Sequence, residues 1–209
     1  MSIPNTGMAL EDEVFNALPG AIKDGNLPVR NDLCKIHRRK DYYSETRKGN
    51  VKFENVIEIY SDSNFSEPNA QPLLVMVFEC KDTGRRVEVG EVDEFSSKLS
   101  HQYGFATKGF IVTRYGFQKG ALGTARSRGI GLIRLLPSSQ FHYVIYHMTS
   151  AVIQRREREF PTRALSGLTD PDHISSDEST YCLDEGYLFA SMSGVLRHAV
   201  DASGLFKSD

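Results

Sequence analysis

The longest unbroken run of aliphatic and aromatic side chains in this 209-residue sequence is Leu73-Leu74-Val75-Met76-Val77-Phe78. It falls far short of the roughly 20 residues a membrane-spanning helix needs, so no membrane partner is expected. Cysteine is scarce: Cys34, Cys80 and Cys182 are odd in number and widely scattered. They argue against a disulfide framework, offer no zinc-type pair and point to a reducing, cytoplasmic setting. The opening residues, Met1-Ser2-Ile3-Pro4-Asn5, show no charged segment followed by an apolar one, so no secretory signal is read. The six histidines have no metal-ligand spacing, and His142 and His147 read as surface or packing residues on a helix. No serine- or cysteine-hydrolase motif, internal repeat or low-complexity tract is present.

What is present is an ordinary globular composition, 40% hydrophobic and 25% charged. The length suits one well-cored domain with an appendage, or two small domains. A net charge of −2 conceals an asymmetry. Residues 166–209 hold eight acids against Arg197 and Lys207, which leaves residues 1–165 with 23 basic and 19 acidic side chains. A mildly basic body with an acidic tail suits a polyanionic partner, although composition reads equally as uneven surface charge.

Periodicity predicts an opening helix over 7–24 carrying Leu10, Val14, Phe15, Leu18 and Ile22, kinked or split at Pro19-Gly20. A short strand over 33–37 follows, then a basic, aromatic stretch. Strands are expected at 51–60 and 72–81, a helix at 92–103, a strand at 108–113, a helix at 117–128 and a strand at 130–136. That order argues an α/β domain whose last two strands run parallel. Beyond Pro137, Ser138-Ser139 reads as the cap of a helix through Phe141, Val144, Ile145, Met148, Val152 and Ile153, ending in the charged run 155–159. Residues 165–180 read as a linker, and Leu188, Phe189, Met192, Val195, Leu196 and Val200 as a terminal amphipathic helix. The expected division is a catalytic domain over 1–137, a helix over 138–164, and an acidic linker with a terminal helix over 165–209.

The chemistry lies at the end of the apolar run, in Glu79-Cys80-Lys81. Alternation along a strand turns Glu79 and Lys81 to one face and Cys80 to the other. An upstream strand, Phe53-Glu54-Asn55-Val56-Ile57-Glu58-Ile59, brings more acids. Two such strands side by side gather carboxylates and a lysine at one sheet edge, which is equipment for metal-assisted phosphodiester hydrolysis. Mg²⁺ takes hard oxygen ligands and keeps several waters, so Glu54 and Glu79, with Glu58 as a further ligand or supporting contact, are enough. Lys81 would orient or deprotonate the attacking water and steady the phosphate. On the triplet alone, a strand-end ion pair without chemistry is an equal reading.

Several features flank this set. Six basic residues lie within 35–48, among them Arg38, Arg39, Lys40, Arg47 and Lys48. With Tyr42 and Tyr43 interleaved, they could bind a nucleic-acid backbone and stack on bases. Gly116-Phe117-Gln118-Lys119-Gly120-Ala121 follows a strand and opens a helix, so it could receive a backbone phosphate at Gln118 and Lys119. It matches neither the P-loop nor the dinucleotide fingerprint, and a plain turn explains it as well.

The stretch 7–136 resembles the Mrr-like (type IV restriction endonuclease) branch of the restriction-endonuclease superfamily, PD-(D/E)xK. The likeness is carried, in order, by Gly7 and Leu10-Glu11; Tyr42-Tyr43-Ser44 and Arg47; Phe53-Glu54-Asn55-Val56-Ile57-Glu58; and Glu79-Cys80-Lys81-Asp82. It continues through Val87, Val92-Asp93-Glu94-Phe95, Lys108-Gly109-Phe110-Ile111-Val112-Thr113, the 116–121 turn, Ala125 and Gly129-Ile130-Gly131-Leu132. The resemblance implies a mixed central sheet flanked by helices and Mg²⁺-dependent (or Mn²⁺-dependent) endonucleolytic cleavage of DNA, in defence or DNA processing. By position, Glu79 is the second acid, Lys81 the catalytic lysine and Glu11 an assisting helix acid. Glu54 stands where an aspartate is usual, a change of one methylene to which catalysis is sensitive. Other readings are a silent relative that binds nucleic acid or a protein, and a regulatory module acting through 166–209. A homodimer is expected if both DNA strands are cut.

Overall fold

A strand buried on both faces needs a layer of helices on each side, and Leu74, Val75, Met76, Val77, Phe78 and Cys80 are all buried. The computed structural model describes residues 6–25, 27–61, 65, 70–101, 105–136, 150–175 and 178–206, and it supplies both layers. In chain order the elements are α1 (Thr6–Asp24), β1 (Cys34–Ser44), β2 (Gly49–Ile59), β3 (Leu74–Lys81), α2 (Val89–Leu99) and β4 (Ala106–Thr113). They are followed by α3 (Lys119–Ser127), β5 (Gly131–Leu135), α4 (Ser150–Thr169), β6 (Thr180–Asp184), β7 (Tyr187–Phe189) and α5 (Met192–Ser203).

The seven strands form one sheet in sequence order. The ladders are antiparallel from β1 to β3, parallel from β3 to β5, and antiparallel again to β7. α1 and α5 cover one face over Ile57, Met76, Phe78, Phe110, Val112 and Ile133. α2, α3 and α4 cover the other over Val75, Val77, Ile111 and Leu132. The fold is thus the mixed α/β sheet with flanking helices that the sequence leads one to expect.

Differences from expectation lie at its margins. α1 runs without a break through Pro19, because Pro19 and Gly20 are exposed while Leu18, Ala21 and Ile22 are buried. The missing N–H therefore falls on the solvent side, where water can satisfy the freed carbonyl. β1 is longer than expected and runs on through Arg38, Arg39 and Lys40 to Ser44, with Arg47 and Lys48 in the turn beyond it. The expected helix start, with Ser138, Ser139, Phe141, His142, Val144, Ile145, His147 and Met148, lies outside the described residues. From Ser150, α4 continues ten residues beyond Glu159.

The described residues of the 165–180 stretch are packed rather than free. The fully buried Arg134 of β5 donates to the carbonyls of Arg114, Gly167, Asp170 and Pro171. A helix C-terminus leaves carbonyls unsatisfied and carries partial negative charge, so the end of α4 helps to hold this guanidinium, on which the charge of Asp170 also acts. Leu188 and Phe189 belong to β7, not to the last helix, which starts at Met192 behind the Ser191 cap. β6 and β7 are joined through Glu185 and Gly186, both at positive φ, as a two-residue hairpin turn demands. Acids of this segment are paired: Asp184 with Lys108, Glu178 with Arg163, Asp201 with Arg197.

Candidate active site

The β1–β2 hairpin is folded over on itself, and the fold-over creates the site. Tyr42 lies opposite Val51 in the ladder and Glu58 opposite Lys35. A straight ribbon would hold positions seven residues apart at roughly 23 Å, yet the Tyr42 hydroxyl donates to Glu58 Oε1 over 2.7 Å. Arg39, at a left-handed φ of 53°, marks the bend on β1, and Glu54 lies opposite on β2. Side-chain alternation breaks at the same point. Val51, Phe53 and Val56 all enter the α2–α3 layer, so one of the intervening positions is skipped.

Here β2 parts from β3, whose ladder with it ends at Asn55 opposite Phe78. The next free N–H of β3, on Cys80, is taken by the side chain of Glu54, whose Oε2 accepts it over 2.6 Å. The extra methylene of glutamate is used in that reach. Glu79 follows Val75 and Val77 toward the α2 layer, while Cys80 packs in the α1–α5 layer, as alternation requires. Lys81 Nζ lies 3.3 Å from Glu79 Oε1. The structure therefore brings Glu54, Glu79 and Lys81 to one place, at the carboxyl end of β3.

The electrostatics are uneven. Burial pushes the Glu54 carboxyl up to about 7, with help from the charges of Glu79 and Glu11 and against the Cys80 N–H and Lys98. Burial opposes the charge on Lys81, but Glu79, Glu94 and Glu54 outweigh it and raise its pKa. Lys81 is thus a firm cation in this arrangement. Glu11, on α1, is close enough to act on Glu54 and Cys80, and its carboxylate is held by Arg39 at 3.0 Å. Asn55, buried beside the bend, donates to the Glu11 carbonyl and ties β2 to α1.

Glu58 is not brought to this group. It is buried in the inner angle of the hairpin, where it accepts from Tyr42 and Tyr60 and pairs with His37 and Lys40. Burial alone would raise its pKa, but those hydroxyls and cations hold it below the ordinary value. With its oxygens so occupied, Glu58 acts as the clasp of the bend. Among the described residues, no three or more His, Cys, Asp or Glu side chains are gathered tightly enough to hold a metal ion by themselves.

Sequence reasoning passed over Lys98. From α2 it reaches Glu79 Oε2 at 2.7 Å and lies 5.0 Å over the Phe53 ring. The available signal was its position beside Leu99, at the border of the Val92–Phe95–Leu99 stripe on the helix that follows the acidic strand. Arg114 was also passed over; it bridges Asp82, just past β3, to Glu13 on α1.

The expected nucleic-acid contacts divide in two. Arg38 is paired with Asp12, Arg39 with Glu11 and Lys40 with Glu58. Tyr42 is half-buried against Phe53 and Phe105. By contrast Tyr43, Arg47 and Lys48 are exposed at the hairpin tip, with Lys48 near Glu45. Lys52, also exposed, joins them. In the turn before α3, the N–H groups of Phe117 and Gln118 are already bonded to the carbonyls of Leu168 and Val87. Gln118 is half-buried as the helix cap and Lys119 is exposed. No helix among the described residues is long and apolar enough to cross a membrane.

Among curated proteins none matches this sequence. A repair endonuclease from Pyrococcus abyssi is a similar solved structure at 20% sequence identity, with a TM-score of 0.34, covering 66% of this chain. The chain spans about half of that protein, 49% of its length. The family model Mrr_cat, described as restriction endonuclease, matches residues 33–143, which is more than half of the chain and runs from the start of β1 past β5. Its span contains Glu54, Glu79 and Lys81 and the strands that carry them, and the chain belongs to this restriction endonuclease family.

Proposed function

We propose that this protein is a divalent-metal-dependent endonuclease that hydrolyses phosphodiester bonds of DNA, with Glu54 and Glu79 as metal-binding carboxylates and Lys81 as the catalytic lysine. The observation that carries the reading is the meeting of Glu54 with β3 at the Cys80 N–H, beside Glu79 and Lys81. Two hard carboxylates are a donor set that suits Mg²⁺ or Mn²⁺, because such ions complete their shell with water, main-chain and substrate oxygens. Burial and then the charge of Glu79 raise Glu54, and a cation between the acids would relieve the repulsive part. When bound, such an ion activates water and neutralises charge on the scissile phosphate. Lys81, a cation set among acidic neighbours, orients the water and donates to the phosphate. Glu11 assists by its charge from α1. DNA would lie across the exposed hairpin tip, with Tyr43, Arg47 and Lys48 on one side and Lys119 on the other.

A second reading, a silent relative that only binds nucleic acid, draws support from the lysines on both Glu79 oxygens and the engagement of Glu54 with main chain. Nicking of supercoiled plasmid decides between them. Wild type is expected to nick in Mg²⁺ or Mn²⁺ but not in EDTA, and Lys81→Ala to be at least about 100-fold slower. Equal nicking by both proteins, or none by either with DNA still bound, would end the catalytic reading.

A further inference from the structure

Glu79 is met by two ammonium groups, not one. Lys81 takes Oε1 from the same strand, and Lys98 takes Oε2 from α2 at the shorter distance of 2.7 Å. Both oxygens of a carboxylate that is only 8% exposed are thus met by a cation. The second ammonium also sits 5.0 Å over the ring of Phe53, the residue next to Glu54, and its charge acts on Glu54 itself. Lys98 therefore pairs with Glu79 and reaches Glu54 through its charge. Its base is fixed. α2 packs so closely on β4 that a Cβ on Gly109 would meet Leu99 Cδ1 at 2.3 Å and Phe95 Cε1 at 2.8 Å, which leaves the helix no room to shift toward the sheet. What can move is the flexible four-carbon arm of the lysine, which is 24% exposed and open to solvent at its tip.

Resting on the nuclease reading above, we propose that Lys98 is the resident counter-cation of the site. In the metal-free protein its ammonium stands in for the divalent ion between Glu54 and Glu79, and it transfers to the DNA backbone when metal and DNA bind. Metal binding is then an exchange of one cation for another. The displaced lysine adds a phosphate contact beside the scissile bond, so loading of metal and of DNA support each other.

A purely structural Lys98–Glu79 bridge makes the opposite forecast, and the sign of one change separates them. Removing a structural bridge loosens Glu79 and weakens metal binding. Removing a competing cation strengthens it, on the order of tenfold for a unit charge this close to a half-buried site. The test is titration of the full-length protein with Mn²⁺, followed by the electron-spin-resonance signal of the free ion, for wild type, Lys98→Met, Lys98→Gln and Lys98→Arg. Both neutral variants are expected to bind Mn²⁺ about tenfold more tightly than wild type, and Lys98→Arg to stay near it. In Ca²⁺, the neutral variants should bind a DNA duplex more weakly, with a salt slope smaller by about one. Mn²⁺ affinity unchanged or weakened in Lys98→Met and Lys98→Gln, with thermal melts showing folded protein, overturns the proposal. Glu79→Gln serves as the control on the reading beneath it. If it binds Mn²⁺ as well as wild type does, the ion is not at this site and the metal assignment itself fails.

Discussion

Replacing Glu54 with glutamine preserves the shape of the side chain and an oxygen able to accept from the Cys80 N–H, while removing the negative charge. The carboxyl is raised from 4.5 to about 7, first by burial and then by Glu79. A carboxyl whose folded pKa exceeds its unfolded one favours the folded state only when protonated. The penalty is absent well below 4.5, grows between 4.5 and 7, and is complete above about 7. At roughly 1.4 kcal/mol for each pH interval, the full penalty is on the order of 3 kcal/mol. Glu54→Gln should therefore stabilise the metal-free protein at pH 8, by roughly 6–12 °C in Tm for a chain of this size. At pH 4.5, where the wild-type carboxyl is already protonated in the folded state, the gain should nearly vanish. Thermal melts in EDTA at the two pH values make the comparison, and the same variant should lose nicking activity. A Tm unchanged or lowered at pH 8, or a gain equal at both pH values, would refute the idea that Glu54 is held ionised at a cost to the fold.

Arg134→Met should cost about 3 kcal/mol, seen as a Tm lower by roughly 6–12 °C, because four carbonyls around the end of α4 lose a charged donor; a loss below about 1 kcal/mol would contradict it. Arg47→Ala with Lys48→Ala should leave stability within about 0.5 kcal/mol. The pair should weaken duplex binding evenly across sequences and reduce the salt slope by about one to two, read by fluorescence anisotropy; an unchanged slope would place DNA elsewhere. Tyr42→Phe removes one donor from the buried Glu58 and should cost about 1 kcal/mol or somewhat more in denaturant unfolding, whereas an exposed stacking tyrosine would cost nothing.

The central strands were readable because their hydrophobic patterning has one solution. β3 is apolar on both faces, and the parallel β3–β4–β5 unit follows from helices alternating with strands. The pairing of Glu79 with Lys81 followed from the period of two in a strand. The position of Glu58 was misjudged for the same reason. On a straight strand Glu58 shares a face with Glu54, but the bend at Arg39 turns it into the hairpin's inner angle among Tyr42, Tyr60, His37 and Lys40. A left-handed arginine carries no sequence signature. Lys98 was hidden because its partner lies 19 residues away, and a lysine beside an apolar stripe usually points to water. The strands β6 and β7 are too short for periodicity to stand out, although Glu185-Gly186 was a usable turn signal. The burial of Arg134 was not legible, since the main-chain carbonyls that take its donors leave no mark in the sequence.

Everything proposed here depends on a hard cation resting between side chains from two neighbouring strands. Anomalous diffraction from a crystal soaked in Mn²⁺ looks at that directly. A peak within bonding distance of both the Glu54 and Glu79 carboxylates, with Lys98 swung away, is the predicted result. No peak there at millimolar metal, or one bound only at surface acids, would contradict it and leave a nuclease scaffold without its metal chemistry.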